Sequence, residues 1–199
     1  MKILVLIAHP NLSNSKMNSL WKQELENIPN VTVHDLYQHY SHQPIDLPLE
    51  QKLLLTHDRI VFQFPFYWYS TPPLLKRWID EVFAYGWAYG PGGKALQGKE
   101  LVLAISVGGP EHSYRAGGYN HFTISELTRP LQATANTTGM DFLPHYIQYS
   151  TGDIDDKAAF ESAKNYVIHI TNEDLNHRNR LAKQLARMEE QGIVLKTEE

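Results

Sequence analysis

The first residues that could do chemistry lie in a polar stretch near the amino end, residues 9–18. The stretch is dense in hydroxyl and amide groups, and a helical pattern follows it. A helix start offers unpaired backbone N–H groups and the positive end of the helix dipole, which together favour a phosphate. Helix capping is the alternative interpretation. Further donors or positive charge could come from four side chains: His9, Ser15, Lys16 and Asn18.

An aromatic run, Phe66-Tyr67-Trp68-Tyr69, forms the second group and lies between an apolar segment and the next helical pattern. Aromatic rings at the carboxyl end of a strand suit a flat ligand, because their faces stack and nearby backbone amides can bond its polar edge. The alternative is that these rings pack in the core.

The third group begins with the run Ser106-Val107-Gly108-Gly109, which ends another apolar segment. Glycine allows the backbone to approach a ligand closely. Two side chains in the loop that follows, Tyr114 and His121, could serve as proton donors.

Strand and helix patterns alternate along the chain and must position these three groups. The apolar segments predict strands at residues 2–8, 31–37, 59–64, 100–107 and 141–149. Helical spacing predicts helices at about 15–27, 49–57, from Thr71 onward, 123–138 and 158–170. Thr71 is the expected N-cap of the third helix with Pro72 at its first helical position, and Pro130 should bend or split the fourth.

This alternation predicts an α/β fold with a doubly wound parallel sheet. In such sheets, ligands bind at the carboxyl ends of the strands near the switch in strand order. All three groups follow strands, so we expect them to meet at one edge of the sheet.

The residues that carry these patterns also resemble a known family. His9-Pro10, residues 15–18, 65–80 and 86–90, and Gly108-Gly109 resemble the flavodoxin-like NAD(P)H:quinone oxidoreductases. The resemblance is greatest to small bacterial members, which include general stress flavoproteins and ancillary subunits of glutathione-gated potassium efflux systems. It implies a flavodoxin-like, five-stranded parallel sheet with helices on both faces over residues 1–170, followed by a polar helical extension at 171–199.

The resemblance also implies a cofactor, a reaction and site residues. The cofactor would be FMN, with FAD the less favoured choice, and NAD(P)H would pass two electrons through it to a quinone or another flat acceptor, including nitro or azo compounds. The phosphate would be held by His9, Ser15, Lys16, Met17 and Asn18. The ring would be lined by Phe66, Tyr67, Trp68 and Tyr69. Its pyrimidine edge would be held by Ser106, Val107, Gly108 and Gly109.

Two catalytic residues follow from the same resemblance. Tyr114 falls where diaphorase-type relatives have a tyrosine that assists hydride transfer. Their accompanying histidine falls at Asn120, so His121 takes that role only if the loop shifts by one residue.

The composition limits the remaining classes of function. The 199 residues include no cysteine, which excludes a thiolate nucleophile and a cysteine-based metal centre, and we predict no metal site. A net charge of -4 gives no electrostatic footprint for nucleic acid. No apolar run reaches the roughly 20 residues that span a bilayer. We therefore predict a cytoplasmic protein, with peripheral attachment at the inner face of the membrane left open.

Two other readings of the function stay open at this stage. The chain could be a flavin-binding regulatory subunit that docks on a potassium efflux transporter, with the polar helix at 172–191 as a candidate contact. It could also be a non-catalytic electron carrier, although the aromatic-rich entrance argues against one. The resemblance itself implies a homodimer.

Overall fold

The computed structural model describes residues 1–191 of the chain. The strands are β1 Ile3–Ile7, β2 Val31–Asp35, β3 Arg59–Pro65, β4 Glu100–Ser106, β5 Asp141–Phe142 and β6 Tyr146–Gln148. The first four helices are α1 Lys16–Leu25, α2 Leu36–Tyr40, α3 Leu47–Thr56 and α4 Pro73–Val82. The others are α5 Ile124–Leu127, α6 Arg129–Thr138, α7 Asp156–Thr171 and α8 His177–Glu190. The predicted residues 192–199 of the extension lie outside the described part.

The strands form one parallel sheet in the order β2-β1-β3-β4-β5, and β6 also pairs with β4. The three central strands are buried along their whole length, as expected for a sheet covered on both faces. The strand order switches between β1 and β3, so the carboxyl ends of these two strands open a crevice. The predicted doubly wound parallel sheet is confirmed.

Helices cover both faces of the sheet. On one face, α1 and α7 bury Trp21 and Tyr166 against β1, and the Trp21 ring N–H donates to the Ser162 hydroxyl at 3.3 Å. On the other face, α2, α3, α4 and α6 form a larger core around Phe62 and Trp78. Burial of such large aromatic side chains is a main source of stability in a domain of this size.

The fifth predicted strand is divided in two. Leu143 still donates its N–H to the Leu101 carbonyl at 2.9 Å, but Pro144 has no N–H to continue the ladder. Pairing with β4 resumes at Tyr146. The single strand predicted over 141–149 is therefore two short ones.

Two helices begin where the sequence did not predict a helix start. The second strand ends at Asp35, whose carboxylate accepts the N–H groups of Tyr37 and Gln38 and so caps α2, where continued strand and then loop were predicted. The N-cap of α4 is Pro72, not Thr71. A residue that precedes a proline is pushed to an extended conformation, and Pro72 precedes Pro73. The predicted effect of Pro130 is confirmed as a split between α5 and α6 at Thr128.

The described part of the extension begins against the amino ends of the strands, opposite the crevice. Buried Arg59 donates to Glu100 at 2.7 Å and to the Asn172 carbonyl at 3.0 Å. Asn176 donates to both Glu100 and Asp141 at 3.1 Å. Within residues 1–191, no helix is long and apolar enough to cross a membrane.

Candidate functional site

A cleft of about 690 Å³ lies at the carboxyl ends of β1, β3 and β4. We call it the main cleft. Its size falls in the range of roughly 300–1,000 Å³ that is usual for small-molecule sites. Members of all three predicted groups line it: His9, Ser15, Lys16, Met17, Phe66, Tyr67, Ser106 and Gly108.

Thr151 and Gly152, which were not among the predicted site residues, also line the main cleft. They lie in the loop after β6, and the Thr151 N–H donates to the Val107 carbonyl at 3.1 Å. The rule that strand ends gather ligands applies to this loop as well, so its position after the last strand was the available signal.

The start of α1 supplies the anion site of the main cleft. Ser15 is the N-cap, and its hydroxyl accepts the Asn18 N–H at 3.3 Å. The N–H groups of Lys16 and Met17, in the first turn, have no acceptor within the helix. Ser15 is therefore a cap, as in the alternative interpretation, and the helix end it shapes remains suited to a phosphate.

Asn18 and the Lys16 ammonium differ from their predicted roles as phosphate ligands. Asn18 is buried, and its side-chain N–H₂ donates to the hydroxyls of Ser15 at 3.1 Å and Ser106 at 2.9 Å. The Lys16 ammonium donates to the Ile154 carbonyl at 2.7 Å and pairs with Asp156 at 2.7 Å. Asn18 thus joins α1 to the end of β4, and the Lys16 side chain holds the loop before α7.

His9 also lines the main cleft, in the loop after β1. It is buried, and its Nδ1 accepts the Asn11 N–H at 3.1 Å. Burial lowers the pKa of His9, and nearby Asp35 opposes this only in part. The ring is neutral at neutral pH, so His9 offers an Nε2–H donor rather than the positive charge that the sequence suggested.

The aromatic run folds into a tight two-residue turn, residues 67–70, which we call the aromatic turn. Tyr67 and Ser70 exchange backbone hydrogen bonds at 3.1 and 3.0 Å. Trp68 and Tyr69 both have positive φ, 46° and 62°, a conformation that is strained in residues other than glycine. Trp68 is 92% exposed at the tip, so it does not pack in the core, whereas Phe66 does.

The end of β4 presents one glycine to the main cleft. Val107 is fully buried and its N–H donates to the Gln148 carbonyl at 2.8 Å, so its predicted contact with a ligand is not what the structure shows. A Cβ added to Gly108 would meet no atom within 4 Å. One added to Gly109 would lie 3.3 Å from the Tyr114 ring. Gly108 keeps the cleft open, and Gly109 makes room for Tyr114.

Tyr114 stands beside Phe66, the residue that precedes the aromatic turn. Its ring centroid is 6.2 Å from that of Phe66 and 5.9 Å from that of Tyr149. Burial, with a smaller effect of Tyr69, raises the pKa of Tyr114 above its ordinary value. The hydroxyl therefore holds its proton at neutral pH and can donate a hydrogen bond.

His121 is not brought to this group. Its side chain is exposed, its φ is 62°, and it makes no side-chain hydrogen bond within the described residues. Asn120 is there instead: it accepts the Tyr69 hydroxyl at 3.1 Å and donates to the Ser113 hydroxyl at 3.0 Å. Among the described residues, Asn120 and not His121 therefore lies beside Tyr69, and the role of His121 as a proton donor stays a prediction.

A second cleft, which we call the side cleft, lies beyond Tyr114 and has a volume of about 590 Å³. It is lined by Glu111, His112, Tyr114, Arg115, Thr123, Ile124, Ser125, Ile147 and Tyr149. A smaller cavity of about 160 Å³ lies behind Phe66 between α4 and α6. Residues 1–191 hold no group of three or more histidine and acidic side chains arranged for a metal ion.

Comparison with known proteins places this architecture in a family. The chain belongs to the family described as having a flavodoxin-like fold, with a match that spans residues 1–170. It is similar to the uncharacterized NAD(P)H oxidoreductase YdeQ of Bacillus subtilis (strain 168), with 58% identity over 189 residues, 95% of this chain and 96% of that protein.

Solved structures agree on the fold. The general stress protein 14 of Treponema denticola, in complex with FMN, is 42% identical with a TM-score of 0.80, over 84% of this chain and 96% of that one. An NADPH-quinone reductase from P. pentosaceus is 39% identical with a TM-score of 0.79, and the match covers 86% of this chain and 99% of that one. A protein named thermophilic tryptophan halogenase, from Streptomycin violaceusniger, is 48% identical with a TM-score of 0.83, and the match again covers 86% of this chain and 99% of that one. The three structures thus share one fold, whereas the activities in the names of the last two differ.

Proposed function

We propose that this protein is an FMN-dependent NAD(P)H:quinone oxidoreductase. The observation that carries the proposal is the main cleft, where a helix start suited to a phosphate, an aromatic turn and an unobstructed glycine meet. The name of the Bacillus subtilis relative and the FMN complex of the Treponema denticola relative support the same conclusion. FAD would need room beyond the phosphate, so FMN is the simpler occupant.

The residues present fit FMN. Its phosphate would accept the N–H groups of Lys16 and Met17 at the start of α1, with the neutral His9 as a further donor. Its flat ring would lie beside Phe66 and Tyr67, with its polar edge over the backbone at Gly108, where a side chain would otherwise fill the space. Bound FMN would supply the hydride-accepting ring that passes two electrons to the acceptor.

The chain's own groups then have three tasks. Backbone N–H groups near Gly108 can stabilise negative charge at the polar edge of the ring without reorganising. The protonated Tyr114 hydroxyl can donate a hydrogen bond to the nicotinamide or the acceptor. The exposed face of Trp68 offers a stacking surface that NAD(P)H and a flat quinone can use in turn, which implies ping-pong kinetics.

We also propose that the protein is a cytoplasmic homodimer. Large aromatic side chains are exposed on the aromatic turn, at Trp68 (92%), and close to Asn120, which accepts the Tyr69 hydroxyl, at Tyr119 (87%) and Phe122 (54%). Exposed aromatic side chains grouped in one region mark an interaction surface. A second copy of the chain would bury some of them beside the ligand.

Anaerobic spectroscopy of the purified protein tests the proposed function. We expect the absorbance bands of a flavin, their loss on addition of NADPH or NADH, and their return on addition of menadione. A flavin spectrum that neither pyridine nucleotide changes would favour an electron carrier or a regulatory subunit. Nitroaromatic and azo compounds, tested as acceptors beside menadione, would show whether the quinone is the preferred class.

A further inference from the structure

We propose that the side cleft binds the adenosine half of NADPH and that Arg115 recognises its 2′-phosphate, so that the protein uses NADPH in preference to NADH. This inference rests on the proposed function, since it takes a hydride from the nicotinamide in the main cleft as given. It adds the choice between the two nucleotides and the residue that makes this choice.

The position of the side cleft is right for the distal half of a dinucleotide. Tyr114 lines the side cleft, and its ring lies against Phe66, which lines the main cleft. A nicotinamide beside Phe66 therefore has the side cleft directly beyond the Tyr114 ring. The volume of about 590 Å³ suits a ligand of nucleotide size.

Arg115 is distinguished by having no ion-pair partner within residues 1–191. Of the lysine and arginine side chains that line the clefts described above, Lys16 pairs with Asp156 and Lys76 pairs with Asp80. Arg115 forms no ion pair with any residue of the described part of the chain. A guanidinium presents a planar fork of donors that matches a phosphate, and dinucleotide-binding proteins use arginine in this way to accommodate a 2′-phosphate.

The other walls of the side cleft suit an adenosine. Tyr114 and Tyr149 present two aromatic rings, with Ile147 as apolar surface between the strand and the loop. The Ser125 hydroxyl and the His112 ring add donors at the rim. A flat base with a phosphorylated ribose needs this combination of an apolar slot and a few polar groups.

One acidic group shares the cleft. The Glu111 carboxylate helps to raise the pKa of Tyr149 and therefore lies near that ring. Besides the tyrosines, the ionisable residues that line the side cleft are Glu111, His112 and Arg115. The carboxylate can accept a hydrogen bond from a ribose hydroxyl but repels a phosphate. Removal of the Glu111 charge should therefore increase the preference for NADPH over NADH, and removal of Arg115 should decrease it.

Steady-state kinetics with menadione as acceptor test the proposal. For Arg115→Ala, we expect kcat/KM for NADPH to fall by at least about tenfold, as for the loss of a charge-assisted hydrogen bond, while the value for NADH changes little. Arg115→Lys should retain part of the preference, and Glu111→Gln should increase it. Arg180→Ala, on the exposed face of α8, is the matched control and should behave as wild type.

A second measurement separates this inference from the proposed function. Calorimetric binding of 2′,5′-ADP to the FMN-loaded protein should be weaker for Arg115→Ala than for wild type, and 5′-AMP should bind both alike. The inference is overturned if the wild type does not favour NADPH, if kcat/KM falls equally for NADPH and NADH in Arg115→Ala, or if 2′,5′-ADP binds wild type and Arg115→Ala alike. Turnover with either nucleotide in those cases leaves the proposed function intact. Absence of any turnover, with the 2′,5′-ADP difference present, would instead contradict the proposed function.

Discussion

The side chain of Asn18 donates a hydrogen bond to the Ser106 hydroxyl at 2.9 Å, although 88 residues separate the two in the chain. This contact joins the first turn of α1 to the end of β4. It therefore fixes the start of α1, where we propose that the phosphate binds, relative to the backbone at Gly108. Gln63 in β3 supports the arrangement by donating to the Asn18 main-chain carbonyl at 3.1 Å.

Replacement of Asn18 should therefore impair FMN binding without removing any cofactor contact. Asn18→Leu leaves the Ser106 hydroxyl buried without its donor, and we expect a loss of about 1–3 kcal/mol in the free energy of unfolding. FMN affinity should fall by about tenfold, since the two ends of the cleft lose their link. Urea denaturation and titration by flavin fluorescence measure the two effects. The exposed Asn27→Leu is the control, and equal FMN affinity in both variants would refute the positioning role.

The two glycines after β4 should respond differently to valine. At Gly108 the added side chain enters the open main cleft, so Gly108→Val should prevent FMN binding while the apoprotein keeps its thermal stability. At Gly109 the first added carbon meets the Tyr114 ring, so Gly109→Val should displace that ring and slow reduction more than it weakens FMN binding. Flavin content of the purified variants and their melting temperatures provide the comparison. Stoichiometric FMN in Gly108→Val would show that the ring edge lies elsewhere.

Tyr114 should assist hydride transfer through its proton. We expect Tyr114→Phe to bind FMN normally and to be reduced by NADPH about 10²-fold more slowly, the lower end of typical acid–base contributions. Because burial raises the pKa of Tyr114 above 10.0, the hydroxyl is protonated throughout the neutral range, and the wild-type rate should decline through this group only in strongly alkaline solution. Stopped-flow reduction across pH is the measurement. An unchanged rate in the variant would remove Tyr114 from the catalytic group.

Glu50 should make the stability of the fold depend on acid pH. This fully buried carboxylate accepts hydrogen bonds from His34 at 2.7 Å and Trp78 at 2.8 Å, and also from the Tyr40 hydroxyl. Burial raises its pKa, but the hydrogen bonds from His34, Tyr40 and Trp78 and the charge of His34 outweigh burial, and the net pKa is below 4.5. A lowered pKa in the folded state stabilises the protein above the unfolded value near 4.5, and this contribution is lost as the pH falls through the lower folded value.

Glu50→Gln should reduce this dependence. We expect the variant to lose about 1–3 kcal/mol at neutral pH, where the charge-assisted hydrogen bonds are weakened, and to differ less from wild type in acid. Denaturation at a series of pH values measures both, with the exposed Glu161→Gln as the control. A difference between wild type and Glu50→Gln that stays constant from neutral to acid pH would contradict the role of its charge.

Apolar runs and the regular helical spacing of apolar residues were sufficient to predict the sheet and most of the helices that cover it. The apolar runs in β1, β3 and β4 favour the middle of a covered parallel sheet, so the edge of the sheet that carries the candidate site could be predicted as well. Short-range competition was harder to predict. Asp35 could end a strand or cap a helix, and only its contacts with the N–H groups of α2 decide between them.

The errors at the site have a common physical origin. Residue type shows what a side chain can do, whereas tertiary contacts decide which partner it takes. Asn18 and Lys16 have donors suited to a phosphate, but both direct their side chains to protein acceptors. Glycine and asparagine are the residues that usually indicate a positive φ. The aromatic turn contains neither, so its two positive φ values could not be predicted. The resemblance already pointed to position 120, but Asn120 lacks a titratable group and was not chosen, and its hydrogen bond from Tyr69 is seen only in the fold.

The most direct test of the central claim is a crystal structure of the protein grown with FMN. We predict one FMN in each chain, with phosphate oxygens about 3 Å from the N–H groups of Lys16 and Met17, and the ring beside Phe66 with its polar edge at Gly108. An FMN bound away from the start of α1, or a main cleft that stays free of FMN at saturating concentration, would contradict the account.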